Sequence, residues 1–139
     1  MLTTSQIFIR LILSLVLGSI IGFFVKKEKF FNFEIYPLFS LGATILMILN
    51  QEIFLKVYSK IDLIFLPASL IIGLFFISQS LIKESEKISE TLVSIGYLFA
   101  TTLIGFVVGF GFYRTAIFTT LFSLIFTVVS PLIKNFYKK

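Results

Sequence analysis

The sequence predicts an all-α fold, a polytopic transmembrane helical bundle of about five spans, and three observations predict it. Of 139 residues, 58% are hydrophobic and 14% charged, against about 45–50% and about 25% in soluble domains. Apolar runs near the spanning length of about 20 residues follow one another along almost the entire chain. Five spans take about 100 residues and leave under about 40 for loops and tails. Residues 1–139 therefore read as a single transmembrane domain. Cysteine and histidine are absent, which removes thiol nucleophiles, imidazole acid–base chemistry and the usual zinc and haem ligands. The expectation is a protein that is no enzyme and holds no metal or cofactor.

The first span is expected over 7–25, an apolar run broken by Arg10, Ser14, Gly18, Ser19 and Gly22. No basic segment precedes it and Lys26-Lys27 follows it, so it reads as a retained helix and not a cleaved signal. The second is expected over 37–58. Its apolar part, Pro37 to Leu49, is short, but Glu52 and Lys56 stand at the four-residue spacing of a helical pair and let the helix continue. Pro37 suits a first turn, where its missing N–H has no helical partner. The third, 61–82, has Asp62 at its entrance and Pro67 in its first two turns, where a kink is expected.

The segment KESEKISE, Lys83 to Glu90, holds five of the nineteen charged residues and is the one long polar loop. From Thr91 to Ile133 the chain is apolar for about 43 residues, too long for one span of about 20. Tyr113-Arg114, after Gly109 and Gly111, is the expected break, which sets the last two spans at 91–112 and 115–133.

Orientation follows from lysine and arginine, which stay cytoplasmic in short loops. Five crossings put eight of them (Lys26, Lys27, Lys29, Lys83, Lys87, Lys134, Lys138, Lys139) on one side and four (Arg10, Lys56, Lys60, Arg114) on the other. The N-terminus is thus expected outside and the C-terminus in the cytoplasm. Without a crossing by the second run the division is six against six, which favours the five-span count. The net charge of +5 serves topology and attraction to anionic lipid; no nucleic-acid face lies outside the apolar runs.

Two stripes of small residues stand out: Ser14, Gly18 and Gly22 in the first span, Thr101, Gly105 and Gly109 in the fourth. At four-residue spacing they let helix backbones approach closely. Gly18, Gly22, Gly105 and Gly109 are therefore expected at helix–helix contacts inside the bundle, with a homo-oligomer as their other use. Polar groups inside a bilayer are costly and are functional candidates by default. Three are singled out. Arg10 is less than a turn into its span and can snorkel to the interface. Asp62 lies at the water boundary at a similar depth, where it could pair with Arg10. Gln79 sits between Ser78 and Ser80 near the cytoplasmic end of the third span.

The ordered run Arg10-Leu-Ile-Leu-Ser-Leu-Val-Leu-Gly18-Ser-Ile-Ile-Gly22, Ser40-Leu-Gly42-Ala43-Thr44, Asp62, Pro67-Ala-Ser-Leu-Ile-Ile-Gly73-Leu-Phe-Phe76 and Ile104-Gly105-Phe-Val-Val-Gly109-Phe-Gly111-Phe-Tyr113 resembles the membrane region of the MgtC/SapB family. The resemblance covers nearly the whole chain, with Arg10 and Asp62 as the charged positions that agree. It implies a multi-pass bacterial inner-membrane protein with four or five spans, linked to growth in low magnesium, whose relatives act on another membrane complex such as the F-type ATP synthase. The family's usual Glu-Arg pair after the first helix is Phe24-Val25 here. Its basic entry to the second helix is Asn32-Phe-Glu34-Ile-Tyr36, its Arg and Gln around the third are Phe65 and Ser69, and its Gly-Ala-Gly is Ser78-Gln79-Ser80. Roles that depend on those charges are not implied.

The functional expectation is a non-enzymatic membrane protein of this type, in contact with the lipid bilayer and modulating another membrane complex. The alternative is a small ion transporter or channel subunit, with Pro67 and Ser78-Gln79-Ser80 marking a broken-helix pathway.

Overall fold

The computed structural model describes residues 2–25, 33–57, 65–84 and 88–136. Five helices and, among the described residues, no strands make up the chain: α1 (Thr4–Val25), α2 (Ile35–Val57), α3 (Phe65–Glu84), α4 (Ile88–Phe110) and α5 (Tyr113–Phe136). Two stretches, Thr4–Val25 and Thr91–Phe110, are long and apolar enough to cross a membrane; Ala68–Ser80 and Tyr113–Val129 are shorter apolar stretches.

Helix ends depart from the apolar runs for local reasons. Helix α1 starts three residues before the expected Ile7, because Thr3 is its N-cap. The Ile7 N–H donates to Thr3 O at 3.1 Å, and the Thr3 N–H donates to Gln6 Oε1 at 3.1 Å, one half of a capping box. Helix α2 starts at Ile35, so Pro37 lies in its first turn as expected. Helix α3 is described from Phe65, two residues before Pro67; the expected kink turns on residues 61–64, which lie outside the described residues. Helix α4 starts at Ile88, inside the segment expected to be a loop.

The break between α4 and α5 falls at Gly111-Phe112, two residues before the expected Tyr113-Arg114. Gly111 has φ +89°, a conformation costly for any residue with a Cβ. Its N–H donates to Val108 O at 2.9 Å and the Phe112 N–H to Val107 O at 3.1 Å. This pair of bonds is a Schellman motif, which satisfies carbonyls at the α4 terminus. The rings of Phe110 and Phe112 close over it with centroids 6.1 Å apart. Tyr113 and Arg114 therefore begin α5 instead of separating it from α4.

Helices α1, α2 and α4 form the tightly packed centre, with α3 against α4 and α2 and α5 against α4 and α1. Successive contacts run in opposite senses along α1 and α2 and in the same sense along α2 and α4. The core holds Leu17, Ile21, Tyr36, Leu98, Ile104 and Val108, with Ala43, Met47 and Phe106 as a second cluster. The outer faces are apolar too: Phe76 is 69% exposed, Phe122 71% and Phe126 66%.

Candidate functional site

Ser40 is where the three central helices meet. Its Oγ donates to Ser14 O of α1 at 3.0 Å. The Thr44 Oγ1, one turn on, is 2.9 Å from Ser40 O and 2.8 Å from Gly105 O of α4, so its single proton is shared between a local and an interhelical carbonyl. Ser14, Ser40 and Thr44 are fully buried, and interhelical bonds of this kind hold apolar helices together.

These bonds need backbones in near contact, and glycines permit it. A Cβ built on Gly18 would lie 2.8 Å from Pro37 Cα and 2.9 Å from Ser40 Cβ. One on Gly22 would meet Phe33 O at 3.0 Å and the Tyr36 ring at 3.2 Å. On Gly105 it would overlap the Ser40 backbone, and on Gly109 it would lie 2.5 Å from Met47 Cβ. Both stripes thus face α2.

The one arginine of α1 is drawn into the same bundle. Arg10 is 8% exposed; instead of snorkelling outward, its guanidinium turns onto the α4 terminus. Nη1 donates to Gly109 O at 2.6 Å and to Gln51 Oε1 of α2 at 2.8 Å. Nε is 3.4 Å from Tyr113 Oη at the start of α5. One side chain therefore ties four helices together at one end of the bundle. Its charge meets the negative end of the α4 dipole, and the two Nη1 protons are fully used. Beside it the backbone N–H of Leu2 donates to Glu52 Oε1 at 2.9 Å, fastening the N-terminal residues to α2.

The other two polar candidates are elsewhere. Asp62, and with it any pairing with Arg10, lies outside the described residues. Gln79 is exposed on α3, and so is Ser80; Ser78 is buried and donates to Leu74 O of its own helix at 2.7 Å. The Ser78-Gln79-Ser80 stretch thus divides between two faces. Among the described residues no three His, Cys, Asp or Glu side chains come together as a metal site would need.

Gln51 and Tyr113 are the partners of Arg10 that sequence reasoning missed. Gln51 reads as the polar end of a short span and Tyr113 as part of a turn. The available signal was that a buried arginine needs several acceptors, and that polar side chains at the ends of other spans are within reach of one at the start of the first.

The family model of the MgtC family matches residues 11–136. No curated protein and no solved structure matches the chain.

Proposed function

The chain belongs to the MgtC family, and on that premise we propose that it is a multi-pass protein of the bacterial inner membrane that acts without catalysis, by binding and modulating another membrane complex in adaptation to low magnesium. The N-terminus is outside and the C-terminus cytoplasmic in this reading. The observation that carries it is the division of labour among side chains. The buried polar groups of the centre, Ser14, Ser40, Thr44 and Arg10, are engaged in bonds within and between helices, which supports a rigid scaffold. The outer faces of α1, α3 and α5 carry large apolar residues such as Phe8, Phe76 and Phe122. In water such a surface would be an aggregation liability; in a bilayer it is solvated by lipid and open to other membrane helices.

The test is affinity purification of the full chain from membranes in mild detergent, after growth at limiting magnesium. A membrane complex recovered in fixed stoichiometry is the expected result, and consistent recovery of the chain alone, or with itself only, would reject modulation of a partner.

A further inference from the structure

We draw no further inference here: the strongest candidate, the apolar outer face of α5 on which Phe118, Phe122 and Phe126 stand exposed at four-residue spacing, is an unpartnered surface and nothing in the structure shows what covers it.

Discussion

The guanidinium of Arg10, in the second turn of α1, lies 2.6 Å from the carbonyl oxygen of Gly109, 99 residues further along the chain. This bond joins the start of α1 to the end of α4, which packs against it. It works with the Schellman motif around Gly111: the motif satisfies the carbonyls of Val107 and Val108, and the arginine takes that of Gly109. Together they finish α4 where Gly109 is buried and an unsatisfied carbonyl would be costly.

Replacing Arg10 by Met keeps an unbranched apolar stem and removes the three engaged donors. Gly109 O, which is buried, and Gln51 Oε1, which is half-buried, lose their partner, and a buried unsatisfied group costs about 1–3 kcal/mol. The expected result is a loss of about 3 kcal/mol or more in denaturant unfolding from detergent. Arg10→Lys, which keeps the charge and supplies one compact donor group, should recover part of it. Equal stability of Arg10→Met and wild type would show that the bonds contribute nothing net.

Gly111→Ala brings two penalties that share a cause. The positive φ of 89° costs an L-residue about 1–2 kcal/mol, and the new methyl would meet Arg10 Nη2 at 2.8 Å. The backbone part is independent of Arg10, and the steric part is not. A double-mutant cycle of Gly111→Ala with Arg10→Met should therefore be non-additive, the double variant being more stable than the sum predicts by about 0.5–3 kcal/mol, the range for contacting residues. Strict additivity would mean that arginine and turn do not touch.

The order and number of the helices were legible because apolar runs of spanning length are a property of the chain alone. Local ends were less so. Thr3 and Gln6 extend α1 by hydrogen bonds, and hydropathy does not register them. The turn between α4 and α5 was placed two residues late because Tyr113-Arg114 is the polar point, whereas the chain reverses at Gly111, where the conformation demands glycine. Ser14, Gly18, Gly22, Gly105 and Gly109 could be picked out by spacing, but spacing does not name the surface they meet. That α2 receives both stripes, with Ser40 between them, depends on how three helices assemble. The partners of Arg10 were hidden for the same reason: residues 10, 51, 109 and 113 converge only in the folded chain. A helix considered alone offers its arginine the interface as its outlet, whereas a bundle offers the end of a neighbouring helix.

Glycines in this chain should divide into two groups on substitution. At Gly105 a Cβ overlaps the Ser40 backbone, and at Gly109 it meets Met47 and Thr44, whereas around Gly42, Gly73 and Gly96 no described residue comes within 4 Å. Overpacking typically costs about 1–3 kcal/mol, so Gly105→Ala and Gly109→Ala should destabilise by that order, and Gly105→Leu by more. In an exposed helix interior alanine is favoured over glycine by about 1 kcal/mol. Gly42→Ala, Gly73→Ala and Gly96→Ala should therefore be neutral or stabilising in the same unfolding assay. A loss at Gly73 or Gly96 as large as that at Gly105 would show a contact beyond the single chain.

Orientation is decided by where reporters are active. Arg10, Gln51, Gly109 and Tyr113 lie at one end of the bundle, and in the proposed topology that end is external. In that topology the lysine and arginine balance, eight against four, predicts a cytoplasmic C-terminus. A fluorescent or phosphatase reporter after Lys139 should read as cytoplasmic, and one within 50–60, at the C-terminal end of α2, as external. The antiparallel packing of α1 and α2 makes the second site the more demanding test: Gln51 and Arg10 are bonded, so they share a side of the membrane. A cytoplasmic reading within 50–60 together with an external N-terminus would contradict that bond and remove the crossing by α2.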